Sequence, residues 1–260
     1  MNIVVCIKQV PDTTEVKLDP VTGTLIRKGV PSIINPDDKA AVEAALRLKD
    51  QSGARVTVLS MGPPQADAAL REALAMGADE AILLTDRLFG GADTWATSTT
   101  IAAAVRKLDY NLVLTGRQAI DGDTAQVGPQ MAEHLGIPNI SYAEELRLEG
   151  DSVVVSRQYE DRRHIIRAKM PCLVTVLSEM NEPRYMTPGG IYDAHRKQEV
   201  IRWTREDLEV DDGNIGLRGS PTRVVKSFTK ALKGKGTVVT LDARESADWL
   251  VDRLRDKFIL

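Results

Sequence analysis

Asn111-Leu112-Val113-Leu114-Thr115-Gly116-Arg117-Gln118-Ala119-Ile120-Asp121-Gly122-Asp123-Thr124-Ala125-Gln126-Val127-Gly128-Pro129 passes from an apolar run, through small and polar residues, into a helical pattern. The run 111–114 lacks polar alternation, which predicts a strand buried on both faces. The helix predicted over 124–135 is stopped by Gly136. A buried strand feeding a helix is the unit of a parallel sheet covered on both sides. The same alternation precedes it: strands over 3–7, 56–59 and 81–84, and helices over 36–49, 66–76 and near 94–108. The fold expected is a doubly wound α/β layer with a mostly parallel sheet.

After Pro138 the pattern changes. Two strands are predicted around Gly150-Asp151, an alternating strand over 165–169, and a buried strand over 173–177 just after Pro171. This predicts an extra antiparallel section. Beyond Asn181 the chain turns more polar, and Val251, Leu254 and Ile259 predict a terminal helix. The expected organisation is a nucleotide-binding α/β domain over 1–185 and an extended C-terminal arm over 186–260, with too little core of its own and wrapped on something else.

Ligands of an open parallel sheet sit beyond the carboxyl ends of the strands. Gly116 and Gly122 let backbone approach a ligand closely. Asp123 with Gln126 three residues on matches an N-cap and its reciprocal partner, leaving the amides of Thr124 to Val127 as donors for phosphate. Arg117 would add charge, and Asp121 suits a ribose hydroxyl. The plainer alternative is an elaborate capped turn. The loop makes the sheet Rossmann-like, of the adenine-nucleotide-binding type. Asn35-Pro36-Asp37-Asp38 reads as a helix cap with Pro at the first helical position. Met61-Gly62-Pro63-Pro64 leaves the second strand in the same style. Phe89-Gly90-Gly91-Ala92-Asp93-Thr94-Trp95-Ala96-Thr97 sets paired glycines before a helix start, with Thr94 and Thr97 one turn apart on one face.

Composition removes other classes. Formal net charge is −3 and aromatics are 4% of 260 residues, so neither a phosphate-backbone footprint nor a base-stacking platform is expected, and no nucleic-acid partner. No apolar run approaches the roughly 18 residues of a membrane span. The opening Met1-Asn2-Ile3-Val4-Val5-Cys6 lacks the features of a signal peptide. Cys6 and Cys172 read as buried thiols in a reducing compartment, so a cytoplasmic location is expected. There is no G-x-G-x-x-G after the first strand, no G-x-x-x-x-G-K-[ST], no G-x-S-x-G and no H-E-x-x-H. His134, His164 and His195 are scattered, so no metal site is expected, and Glu133-His134 reads as a surface pair. With no acid–base or nucleophilic centre visible, a bound cofactor is expected to carry the chemistry.

The chain closely resembles the β subunit of electron transfer flavoproteins. The resemblance rests on Val5-Cys6-Ile7-Lys8-Gln9-Val10, Ile34-Asn35-Pro36, Ala73-Leu74-Ala75-Met76-Gly77-Ala78-Asp79 and Gly116-Arg117-Gln118-Ala119-Ile120-Asp121. Lys169-Met170-Pro171-Cys172-Leu173-Val174-Thr175 and Asn181-Glu182-Pro183-Arg184-Tyr185 complete it. One departure is that Arg162, Arg163 and His164 interrupt the family's acidic cluster before the Met-Pro strand. The resemblance implies a heterodimer with an α subunit carrying FAD, onto which the arm and terminal helix pack. It implies that Asn181, Glu182, Pro183, Arg184, Tyr185 and Met186 dock on an acyl-CoA dehydrogenase, by default of the butyryl-CoA type. Acryloyl-CoA, caffeyl-CoA reductase or lactate dehydrogenase systems are the other candidates.

Within that family the β site holds either structural AMP or, in bifurcating members of anaerobes, a second FAD reduced by NADH. The segments 121–129 and 91–98 resemble the bifurcating group. The resemblance implies that one electron passes to ferredoxin or flavodoxin and the other, through the α-subunit FAD, to the dehydrogenase. FAD contacts are expected from Cys6, Asn35, Met61, Gly116, Arg117, Gln118, Ala119, Ile120, Asp121, Gly122, Asp123, Thr124, Ala125, Gln126, Val127 and Gly128, and NADH contacts from Thr94 and Thr97. The competing readings are the AMP-bearing carrier, which does not itself oxidise NADH, and a universal-stress-like adenine-binding module, which leaves the arm without a role.

Overall fold

A computed structural model describes residues 1–12, 17, 18, 25, 26, 31–222, 234 and 236–260. The chain divides into two compact units, Met1–Arg223 and Val224–Leu260. The first unit runs β1 (Asn2–Cys6), β2 (Gln9–Pro11), β3 (Lys17–Leu18), β4 (Leu25–Ile26), β5 (Ser32–Ile34), α1 (Pro36–Ser52), β6 (Arg55–Met61), α2 (Asp67–Met76), β7 (Glu80–Leu84), α3 (Thr94–Val105), β8 (Leu112–Gly116) and α4 (Val127–Leu135). It continues through β9 (Asn139–Glu149), β10 (Ser152–Gln158), β11 (Arg163–Lys169), β12 (Cys172–Val176), α5 (Pro188–Arg196) and β13 (Val200–Trp203). The second unit holds α6 (Ala243–Asp256).

The main sheet has nine strands in the order β11-β10-β9-β12-β8-β1-β6-β7-β13. Every pairing from β9 to β13 is parallel, and β10 and β11 add the antiparallel section. The strands are apolar on both faces because two cores cover them. One gathers Val5, Leu46, Leu70 and Val174 beneath α1 and α2, and the other gathers Val4, Ile82, Ile101 and Met131 beneath α3 and α4. The chain winds from β1 to β6 and β7 on one side, then crosses to β8 and β12 on the other. The strand order therefore reverses between β1 and β8, the position where a doubly wound sheet opens a crevice.

Local chemistry accounts for the helix ends. α1 starts on Pro36 and stops at Gly53, whose φ of 69° and N–H bond to the Lys49 carbonyl make a left-handed cap. α3 ends at Val105, before the expected 108, and α4 begins at Val127, three residues after the expected start.

The stretch beyond 181 is more ordered than its composition predicts. α5 packs on α2, and β13 pairs with β7 from Val200↔Ala81 to Trp203↔Leu84. β13 is a four-residue edge strand with its middle residues exposed, so it carries little apolar pattern. The expected division after 185 and the division of compact units after 223 thus fall at different places. In the second unit, Asp242 caps α6 by accepting from the Arg244 and Glu245 amides. Val251 and Leu254 lie on α6, but Ile259 falls beyond its end.

Candidate functional site

The crevice between β1 and β8 is built by residues far apart in sequence. The last ladder pair of the two strands is Cys6↔Thr115; the Ile7 amide still bonds to the Leu59 carbonyl of β6, but the Lys8 and Gly116 amides lack strand partners. Asp38, in the first turn of α1, supplies them. Its Oδ2 accepts from the Lys8 amide at 2.8 Å and its Oδ1 from the Gly116 amide at 2.9 Å. Asp37 accepts from the Ser178 amide beyond β12 at 3.2 Å, and its other oxygen lies 3.3 Å from Arg117 Nε. Two adjacent carboxylates thereby join the ends of β1, β8 and β12.

Asn35 is fully buried and does not cap α1 with its side chain, contrary to the expectation for an N-cap residue. Its Nδ2 donates to the Gln118 carbonyl at 2.8 Å, and its Oδ1 accepts from the Ile120 amide at 3.0 Å. The residue pins the loop 116–126 instead. Lys8 Nζ reaches both oxygens of Asp121, at 2.7 and 2.8 Å. Asp121, expected to suit a ribose hydroxyl, is in this structure the counter-ion of Lys8.

The loop departs from the expected capping box. Asp123 has φ of 48° and accepts from Gln118 Nε2 at 3.1 Å, while Ala125 has φ of 52°. Gln126 stands at the N-cap of α4 without a side-chain cap bond. Two non-glycine residues in the left-handed region cost roughly 1–2 kcal/mol each, and such conformations persist where surrounding contacts over-determine them. Because α4 starts at Val127, its helix-end amides are those of Val127 and Gly128 rather than Thr124, and Pro129 adds none. A Cβ on Gly128 would lie 2.8 Å from Thr175 Cγ2 and 2.9 Å from Thr115 Oγ1, so glycine lets α4 settle against β8 and β12.

Cys6 and Met61 end neighbouring strands, and burial first, then the charge of Asp38, pushes the Cys6 thiol far up. Cys6 therefore lines the interior as a neutral thiol. Burial also raises Cys172, to about 11, and both cysteines are free. Among the described residues no cluster of His, Cys, Asp and Glu is arranged to hold a metal, and no helix is long and apolar enough to cross a membrane.

The second helix start lies beyond the same edge of the sheet, after β7. Asp93 caps α3 through the Ala96 amide at 3.0 Å, and its other oxygen accepts from the amide and hydroxyl of Thr222, at 3.0 and 2.8 Å. Thr94 and Thr97 are half-buried in the first turns of α3. Glu133 is exposed, while His134 is half-buried. Its Nε2 lies 3.2 Å from Ser98 Oγ and 3.3 Å from Thr99 Oγ1, with its ring edge against Trp95. Burial, then the charge of Arg106, lowers its pKa.

Asn181 to Met186 do not join the crevice. Asn181 Nδ2 donates to the Ala40 carbonyl, and Arg184 binds Glu43 and Asp50, so this segment is fastened along α1. Tyr185 is 96% exposed and Met186 40%. Sequence reading missed Lys8, Asp37 and Asp38 as builders of the site. The available signal was two adjacent acids after Asn-Pro, which local chemistry reads as dipole-complementing residues of a helix start.

A family model described as the electron transfer flavoprotein domain matches residues 22–208. An electron transfer flavoprotein subunit beta from Clostridium acetobutylicum is 60% identical over 257 residues, covering 99% of each chain. The caffeyl-CoA reductase-Etf complex subunit CarD of Acetobacterium woodii is 54% identical over 263 residues, covering 100% of each. The acryloyl-CoA reductase electron transfer subunit gamma of Anaerotignum propionicum is 46% identical over 268 residues, again covering 100% of each.

Proposed function

The chain belongs to the electron transfer flavoprotein β-subunit family, and from that premise we propose that its β1/β8 crevice binds FAD and serves NADH-dependent electron bifurcation. The observation that carries this reading is the loop 116–126, suspended by Asn35, Asp38 and Lys8, with Asp123 and Ala125 held at positive φ just before α4. The donor set fits a pyrophosphate. The Val127 and Gly128 amides stand at the positive end of α4. The carboxylates nearby are already engaged: Asp38 by two amides, Asp37 by the Ser178 amide and Arg117, and Asp121 by Lys8. They do not leave a bare negative wall against phosphate.

In this reading Asn35 fixes the loop, α4 orients the phosphates, and Cys6 and Met61 close the inner wall without adding charge. The bound flavin supplies hydride acceptance from NADH and one-electron transfer. The partners that would take those electrons are ferredoxin or flavodoxin on one side and, by way of the α subunit and its FAD, an acyl-CoA dehydrogenase on the other. Relatives named for caffeyl-CoA and acryloyl-CoA reductase systems support that class of partner. Tyr185 and Met186 present the apolar surface for that docking, and the second unit, beyond Arg223, is the arm carried onto the α subunit.

The test is nucleotide content after co-expression with the α subunit. The expected result is a second FAD in each heterodimer and no AMP; FAD with AMP in equal amounts makes the chain a simple carrier and withdraws the NADH site. Joint replacement of Thr94 and Thr97 by valine is expected to slow NADH reduction about tenfold or more while the FAD content holds, as loss of hydrogen-bonding partners for a polar ligand does. Stopped-flow reduction checks it, and unchanged NADH kinetics removes those two residues from the site.

A further inference from the structure

We propose that Asp38 is the positioning residue of the nucleotide site, its carboxylate replacing the missing rungs between β1 and β8 so that the loop stands open for the ligand. The inference rests on the reading of the crevice as a nucleotide site. Beyond Cys6↔Thr115 the ladder ends, yet the chain must stay registered for the loop to reach Asn35 and Lys8. One buried side chain, 7% exposed, provides an acceptor on each side, at 2.8 and 2.9 Å.

Both oxygens must accept. An asparagine of the same shape accepts through one oxygen and turns an N–H against the other amide. A protonated carboxyl keeps one full acceptor, while its hydroxyl oxygen becomes a donor and a weaker acceptor. The charged and titratable groups around Asp38 are Cys6 at the end of β1 and Lys8 just beyond it, Asp37 on its own helix, and Arg117 and Asp121 after β8. Glu179 follows the Ser178 amide that Asp37 accepts. Burial pushes the Asp38 carboxyl up to about 7, against the opposing pull of the Lys8, Gly116 and Asn35 hydrogen bonds.

This gives two opposite signs. A folded-state pKa above the unfolded value near 3.8 means that Asp38 contributes stability at low pH, lost as pH rises through about 7. Nucleotide binding needs the ionised form, so affinity is full above about 7 and falls below it. A merely structural residue moves fold and affinity together.

The experiment uses the heterodimer co-expressed with its α subunit, equilibrated against FAD from about pH 5.5 to 8.5, with wild type and Asp38→Asn compared. FAD is the probe because its pyrophosphate does not titrate in that range. Wild-type retention of FAD in the β site is expected to fall about tenfold per pH unit on the acid side of the Asp38 transition, while its melting temperature does not fall in parallel. Asp38→Asn is expected to bind about ten- to a hundredfold more weakly at high pH and with a flat profile. A variant profile that follows the wild type overturns the proposal. If the variant does not assemble, the wild-type series decides alone, and a flat wild-type affinity overturns it. If FAD binds at no pH, the series is read with AMP, where the difference between variant and wild type cancels the ligand's own ionisation. Binding of neither nucleotide defeats the nucleotide-site reading itself, and the proposal with it.

Discussion

Gly116→Val is expected to empty the crevice of nucleotide and to lower the melting temperature by about 6–12 °C, the equivalent of roughly 3 kcal/mol in a domain of this size. Even a Cβ at this position would sit 2.3 Å from Asp38 Oδ1 and 2.7 Å from both Asp37 Cβ and the Asp38 amide nitrogen. These atoms belong to a helix start and to short buried side chains, so no flexible end can swing away. Moving Asp38 breaks its bonds to the Gly116 and Lys8 amides and leaves two donors without acceptors. The backbone conformation of Gly116 is not the obstacle; space is. Gly189 lies at the start of α5, outside the crevice, and a Cβ there would meet nothing within 4 Å, so Gly189→Ala is the control and is expected to be silent. Circular dichroism melting and extracted nucleotide per heterodimer check both. Wild-type values for Gly116→Val would mean that α1 shifts freely, and the Asp38 clamp would fall.

Glu43→Ala is expected to cost about 1.5–3 kcal/mol, because it removes the charged acceptor shared by two arginines that keep partial access to water. The Glu43 side chain is 4% exposed. It accepts from Arg184 Nε at 2.8 Å, from the Arg184 amide at 3.1 Å and from Arg47 Nε at 2.9 Å. Removing it leaves the segment 181–186 attached chiefly through Asn181 and Asp50. The segment should then become the first site of limited proteolysis, with Tyr185 and Met186 no longer presented from a fixed base. Burial alone would raise the Glu43 carboxyl, but the hydrogen bonds from Arg184 and Arg47 outweigh it and hold it below its ordinary value of 4.5. The sign for a depressed acid is that its stability is present above about 4.5 and lost as pH falls below that. Melting at neutral pH, and cleavage within 181–186, are the measurements. An unchanged melting temperature would show that Asp50 and Arg47 suffice without Glu43.

Much of the fold is legible because each strand and helix carries its own signature. The apolar run 111–114, Gly53 and Gly77 after their helices, and Pro36 at a first helical position all act over a few residues. The weak elements escape for equally local reasons. β13 buries only Val200 fully, so its four residues look like loop until β7 lies beside them. The start of α4 falls later than expected because Asp123 and Gln126 have the chemistry of a capping box, while the loop holds Asp123 at positive φ and spends its side chain on Gln118.

The sequence by itself determined the alternation of strands and helices, the burial of both cysteines and the loop on which a nucleotide site would be built. Only the tertiary structure decided how that loop is held. The bond from Gly116 to Asp38 spans 78 positions, the bond from Ser178 to Asp37 spans 141, and Arg184 reaches Glu43 across 141 as well. In a doubly wound sheet the strand order, and not the distance along the chain, sets which ends become neighbours. Asp37 and Asp38 therefore look like ordinary residues of a helix start until β1, β8 and β12 lie side by side and leave amides that only these carboxylates reach.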